Sequence, residues 1–450
     1  IAILPHFNEV TGVKLDPGLF NIFFVNLLIL IILIVLAMVY PTFLLWRLPI
    51  TLSLKNQLVP TNKLFAKKAI ISLQFSLSVF LLIASIVVAR QLHLMLGKDL
   101  GFSSKNVINT KIFQRLPYRG NAEELKKQHE NQQKNYQYLK NELESNPAIE
   151  IYAQGESPLN SYPMPWKLDG ENKDYTTQNI LAVYPSSQKL FGLELTEGRF
   201  FDAAKDKSRE PKVVINEAAK KFWGIKNLAQ DRLQNEYWLN DKGYEILGVV
   251  KDFNYQHLSV TPQPLVMVYF DDIDANFLIR FKEGNTQRGI KFVEHLFSEV
   301  NPGEPFNYTF ISDEISNLYQ KEKQLSKIYI FFTLIALLIS ANGLFTIALY
   351  DTARRTKEIG VRKINGANIL EIVTLLNRDF VTWVILAFVI ATPLAYFAMN
   401  KWLESFAYKT SLSWWIFALA GLLALGIALL TVSWQSWKAA TRNPVEALRY

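Results

Sequence analysis

The stretch RRTKEIGVRKINGA, residues 354–367, gathers the side chains best suited to specific polar recognition. Arg354, Arg355, Lys357, Arg362 and Lys363 carry positive charge, Glu358 carries negative charge, and Ile359, Val361 and Ile364 are interleaved with them. Such a mixture supports charge-assisted hydrogen bonds around an apolar anchor, which is docking chemistry and not bond-breaking chemistry. Catalytic spacings are missing along the whole chain. The five histidines (His6, His93, His129, His257 and His295) never fall into an HExxH or comparable pattern, and GxSxG and GxxxxGK[ST] do not occur. With no cysteine there is no disulfide framework and no thiolate metal site. Asp252 in GVVKDFN follows a strand-like run and reads as a turn cap, the common role of Asp at that position. No catalytic residue, cofactor site or metal site is expected.

Two glycines in the stretch require a further explanation. Asn365-Gly366 interrupts the helical pattern, since Gly costs about 1 kcal/mol in a helix interior. A new helix can begin at Asn368, an acceptable N-cap, with Ile369, Ile372, Val373 and Leu376 on one face. The segment therefore reads as a short lateral element, a break, and an amphipathic helix entering the next apolar run. It could lie along a bilayer or seat in a groove on a cytoplasmic partner.

The elements that position this stretch are apolar. Runs at 19–46, 69–89, 328–350, 380–398 and 414–434 approach or exceed the ~20 residues needed to cross a bilayer. LLILIILIVLAMVY (27–40) is apolar on every face, unlike a core helix of a water-soluble domain. None of the five runs contains Asp, Glu, Lys, Arg or His, so an intramembrane ion relay is not expected. Arg47, Lys55, Lys63, Lys67 and Lys68 fill 47–68, the stretch above fills 351–379, and Lys438, Arg442 and Arg449 lie in the tail 435–450. Lys and Arg next to spans mark the cytoplasmic side. Alternating spans then put residues 1–18, 99–312 and 399–413 outside, and the C-terminus inside. Trp402, Phe406, Tyr408, Trp414 and Trp415 suit the interface at the short outer loop. This topology accounts for the net charge of +8 without nucleic acid.

Residues 99–312 read as an α+β domain. PKVVIN (211–216), YEILGVV (244–250), PLVMVYF (264–270), FLIRF (277–281) and YTFI (308–311) are strand-like, and 121–145 and 287–300 are helix-like. The second span runs on to residue 98 as a stalk. The third is expected to be continuous over 313–350, roughly 38 residues and ~57 Å at helical rise.

RRTKEIGVRKINGANILEIVTLL (354–376), TVSWQSWKAATRNPVEALRY (431–450), KLFGLELTEGRFF (189–201), VVINEAAKKFWG (213–224) and YEILGVVKDFNYQHL (244–258) together resemble FtsX-like permeases, the membrane subunits of MacB-type ABC transporters. The resemblance runs from about residue 61 onward. LPHFNEVTGVKL (4–15) and YPTFLLWRLPITLSLK (40–55) resemble the end of an earlier permease half. The chain, which opens in mid-sequence, is thus expected to be the second half of a duplicated eight-span permease preceded by the last span of the first.

The resemblance implies a fold of five helical spans plus a large MacB-like periplasmic core domain, in a bacterial inner membrane. It implies a chain that does not hydrolyse ATP but converts the motion of a cytoplasmic ABC ATPase dimer into movement of the periplasmic domain, a division of labour called mechanotransmission. Arg354, Arg355, Lys357, Glu358, Arg362 and Lys363 would supply polar contacts to the ATPase, and Ile359, Val361 and Ile364 apolar ones. Gly360 would permit close approach and Gly366 the turn. Expected partners are the ATPase, the lipid bilayer, a periplasmic adaptor with an outer-membrane channel, and either the other half as a pseudo-dimer or a second copy. The cargo would be a peptide, a drug-like compound or a lipoprotein. Regulation of a cell-wall hydrolase without transport, and sensing of an antimicrobial peptide, are the alternatives within the family.

Overall fold

A computed structural model of the chain describes residues 62–441 apart from 114–121, 171–173, 239, 241 and 272–275, together with positions 24, 27, 28 and 31. The expected first span (19–46), the segments 1–18 and 47–61, and residues 442–450 otherwise lie outside the described residues. Two compact units form. One is helical, its described residues lying chiefly in 62–92, 321–404 and 410–441; the other is α+β, from 93–320 with 405–409.

In the α+β unit, β1 (Val107–Thr110), α2 (Ala122–Ser145) and β2 (Ile149–Gln154) form one half of a four-stranded antiparallel sheet. β10 (Phe277–Phe281), α5 (Thr286–Val300) and β11 (Tyr308–Phe310) form the other half. The order β11-β1-β10-β2 with a helix inside each half is the split βαβ arrangement of ferredoxin-like folds. Both helices cover one face because each carries a single apolar stripe. Tyr136, Leu139 and Leu143 of α2, and Val293, Leu296 and Phe297 of α5, are buried against Ile108, Phe277, Ile279 and Phe281.

Between β2 and β10 the chain makes a second sheet. Its strands are β3 (Tyr162–Leu168), β4 (Thr176–Val183), β5 (Leu195–Gly198), β6 (Lys212–Asn216), β7 (Arg232–Asn235), β8 (Tyr244–Val250) and β9 (Leu265–Tyr269). The order is β5-β8-β6-β9-β4-β3-β7, and β7 returns to pair with Tyr244 and Glu245 at the start of β8. That last pairing closes the sheet on itself. Every residue of β9 is buried, as a strand covered on both faces requires. The interior is filled by Trp166, Ile180, Val213, Ile215, Leu233, Val249, Val266 and Val268. Short helices α3 (Ser187–Phe191) and α4 (Glu217–Trp223) lie in its connections.

The buried Asn216 caps α4 and ties three segments together. Its carbonyl oxygen accepts from the N–H groups of Ala219 (3.0 Å) and Leu265 (2.8 Å), and its amide donates to Asp252 (2.8 Å) and the Gln263 carbonyl (2.9 Å). Asp252 also accepts from the Ala218 N–H at 2.9 Å. Burial holds its carboxyl above the usual range, and these bonds account for its place in the turn.

Among the described residues, the helical unit contains four helices long and apolar enough to span a bilayer: α1 (Asn62–Gly97, apolar from Ala69), α7 (Gln320–Arg354), α9 (Ile369–Leu403) and α10 (Trp414–Thr441). Leu73, Leu77, Leu334, Leu338, Leu394, Phe397, Leu422 and Leu430 are exposed on them, which suits hydrocarbon and not water. Between the helices, small and mildly polar side chains pack beside large apolar ones such as Phe75, Ile83 and Met399. Ala387, Ala391, Ala395, Ala420, Ala424 and Ala428 are buried at four-residue intervals on α9 and α10. A Cβ on Gly421 would meet the Phe388 ring at 2.8 Å, so only glycine permits that approach. The Ser78 and Ser340 hydroxyls lie 2.8 Å apart, those of Ser85 and Thr333 3.0 Å apart, and Ser76 donates to the Ala387 carbonyl at 3.1 Å.

Two expectations change. The helix expected over 313–350 is divided into α6 (Ile311–Leu318) and α7 by a turn at Tyr319. No Gly or Pro signals the break. The fully buried Tyr319 ring sits 5.0 Å from the His257 ring, and burial of that ring offsets the loss of helix continuity. The span expected at 380–398 is also longer. α9 starts at Ile369, so most of the amphipathic helix read after Gly366 belongs to the same rod, which continues through Pro393.

Candidate functional site

The candidate site is built where α7 ends. Thr356–Ile364 forms a separate nine-residue helix, α8, after a turn at Arg355. Its C-terminus is closed by Gly366, whose φ of +90° lies in the left-handed region that suits glycine. The Gly366 N–H donates to the Lys363 carbonyl (3.2 Å) and the Ala367 N–H to the Arg362 carbonyl (3.0 Å), the pair of bonds that ends a helix in a Schellman motif. Asn368 then opens α9, its N–H donating to the Glu371 carboxylate at 3.2 Å. These caps end one helix and begin the next within a few residues.

The structure sorts the sequence-predicted residues into two faces. Ile359 is buried with Ile372, Leu376 and Ala440, which fixes α8 against α9 and the end of α10. Gly360 is buried beside it. The Arg355 guanidinium donates to Asp379 of α9 at 2.9 Å, and the Lys363 ammonium donates to the Ala440 carbonyl of α10 at 2.8 Å. These two cations, read in the sequence as partner contacts, hold the element to its own unit. Arg354, Lys357, Glu358, Val361, Arg362, Ile364 and Gly366 are exposed. Glu358 and Arg362 pair at 2.9 Å across one helical turn, both half-exposed, an arrangement that contributes little stability. Val361 (49% exposed) and Ile364 (61%) stand outward among the charges.

Sequence reasoning missed the residues that anchor this element. Asp379, beside Arg378 in NRDF, is a weak signal on its own. Asn377 donates to Ser433 at 2.7 Å and accepts from Ser436 at 3.2 Å, joining α9 to α10, and nothing in the sequence pairs residues so far apart. Among the described residues no group of three or more His, Cys, Asp or Glu side chains could hold a metal ion.

Residues 330–444, which contain this site, match the family model described as FtsX-like permease C-terminal. The chain is 23% identical over 308 residues to a macrolide export ATP-binding/permease protein MacB of Bdellovibrio bacteriovorus, a match covering 62% of this chain and 45% of that protein. It is 28% identical over 177 residues to the MacB of Chromobacterium violaceum, covering 38% and 27% respectively. The chain thus matches less than half the length of either relative. Among solved structures, the periplasmic region of MacB from Actinobacillus actinomycetemcomitans is similar at a TM-score of 0.34 and 15% identity, covering 50% of this chain and 96% of that one. The extracellular domain of the noncanonic ABC-type transporter YknZ from Gram-positive bacteria is similar at 0.29 and 13%, covering 38% and 84%. The last three spanning helices thus form an FtsX-like permease C-terminal region, in a multi-pass membrane chain that is similar to MacB proteins.

Proposed function

We propose that the chain is the permease subunit of an ABC transporter, and that α8 is where a separate cytoplasmic ATPase dimer engages it. The observation that carries this reading is the two-faced character of α8. It is fixed from within by Arg355, Ile359 and Lys363, yet presents Val361 and Ile364 outward between Arg354, Lys357 and Arg362. An exposed apolar pair ringed by charge is the composition of an interface centre with a polar rim. The names of the relatives, ATP-binding/permease proteins, agree with an ATPase in the same assembly.

In this reading α8 lies on the cytoplasmic side and the α+β unit in the periplasm. ATP-driven motion of the partner would pass through α8 and the spanning helices to the α+β unit. That unit would act on a peptide, drug-like compound or lipoprotein in the periplasm or outer leaflet, with an adaptor and outer-membrane channel as further partners. ATP hydrolysis would belong to the ATPase. The other half of the transporter would be a related permease half or a second copy of this chain.

Co-purification with the cognate ATPase tests the proposal. Val361→Asp with Ile364→Asp, or Arg354, Lys357 and Arg362 each changed to Glu, should abolish the association while leaving membrane insertion intact. Unchanged recovery of the ATPase with both variants would overturn the assignment.

A further inference from the structure

A cavity of about 260 Å³ opens behind α8, between the C-terminal turns of α7 and α10. Leu349, Thr356, Ile359, Lys363, Gln435 and Lys438 are among the residues that line it. Two of these are cations, and no carboxylate is among the lining residues. Gln435 is only 7% exposed and is one of the residues that line the cavity. The amide offers two N–H donors, and the two ammonium groups supply charge beside them. The neighbouring wall is apolar, from Leu349, Ile359 and Ala439.

The level of the cavity along the helices narrows the ligand. Trp434 (67% exposed) and Trp437 (53%) flank Gln435 on α10, and Tyr350 (47%) follows Leu349 on α7. Exposed Trp and Tyr at the ends of spanning helices mark the interfacial zone where lipid head groups sit. Basic pockets between spanning helices at that depth suit anionic head groups.

We infer that this cavity binds the phosphate of an anionic phospholipid head group, with the Gln435 amide donating to a phosphate oxygen, Lys363 and Lys438 neutralising it, and the apolar wall receiving the glycerol and first acyl carbons. A zwitterionic lipid carries the same phosphate but adds a cationic group that two lysines disfavour. A bound phosphate would bridge α8 to α10, bracing the short helix from behind without occupying its outward face.

Native mass spectrometry of the delipidated full chain, titrated in detergent with phosphatidylglycerol, phosphatidylcholine or inorganic phosphate, provides the test. The expected result is at least tenfold preferential retention of phosphatidylglycerol that millimolar inorganic phosphate does not displace. Gln435→Leu and Lys438→Gln should each lower its occupancy about tenfold, the size of one charge-assisted hydrogen bond. Arg378→Gln, which removes an exposed charge elsewhere on α9, should change it less than twofold. If the Leu variant does not fold, Gln435→Glu keeps the side-chain size and should lower occupancy at least as far. Equal retention of the two lipids, displacement by inorganic phosphate, or occupancy indifferent to Gln435 would each overturn the assignment.

Discussion

Single residues in both units have consequences that can be measured separately. Asp206 is buried, and its carboxylate meets the Arg199 guanidinium and, at 2.8 Å, the Lys212 ammonium. The Arg199 bond, against the opposing effect of burial, and then Lys212 hold its carboxyl well below the usual range. Replacing it with Asn leaves Arg199 without its carboxylate and Lys212 with Glu210 alone, and should weaken the α+β unit. A cost of roughly 2–3 kcal/mol is expected, reduced from the fully buried case because Arg199 is partly exposed. Hydrogen exchange in β6 should report it. Because the folded-state pKa is depressed, the stabilisation is complete above the unfolded value near 4 and is lost only as pH falls through the lower folded value. The gap between wild type and Asp206→Asn should therefore be constant from pH 7 to about 5 and close only in strong acid. At Gly366 the space around a Cβ is open but φ is +90°. Gly366→Ala should thus cost about 1–2 kcal/mol from the backbone alone, seen as faster exchange at the C-terminus of α8.

Among the elements, α8 separates anchoring from presentation. Ile359→Asp should release the helix from α9 and α10 and raise exchange across 356–366. Val361→Asp should leave exchange unchanged, because its side chain already faces outward. Gly421→Val should force the Phe388 ring away and destabilise the α9–α10 pairing by about 1–3 kcal/mol, measured as a lower thermal aggregation temperature in detergent. What the sequence made legible here follows from signal strength. The spanning helices, the turn at Gly366 and strands such as Tyr244–Val250 announce themselves through long apolar runs, glycine and dense β-branched residues. β3 does not, because Pro163 and Pro165 argue against a strand, yet it pairs with β4 along Tyr162 to Trp166. β7, Arg-Leu-Gln-Asn, is too short and polar to read alone. The division between α6 and α7 depends on His257, some sixty residues away, and only tertiary contact reveals it. The same limit applied at the candidate site: charge marked the stretch, but only Asp379 and Ala440 show which cations face inward.

For the whole molecule, the absence of cysteine makes topology directly testable. A single cysteine introduced at Lys357, and another at exposed Glu304 in the α+β unit, should react with a membrane-impermeant maleimide from opposite sides of the inner membrane. Labelling of both from the same side would refute the proposed orientation. The α+β unit has a consequence of its own. The closed sheet β3–β9 enters after β2 and leaves into β10, and those two strands pair directly, with Gln154 opposite Phe277. Its two connections thus emerge side by side from one ladder. A tight hairpin of a few residues could replace the whole insert while the sheet β11-β1-β10-β2 keeps every backbone partner it has now. The closed sheet is therefore a detachable insert on two adjoining attachment points, and grafting a different closed domain between Gln154 and Phe277 should leave the four-stranded sheet able to fold.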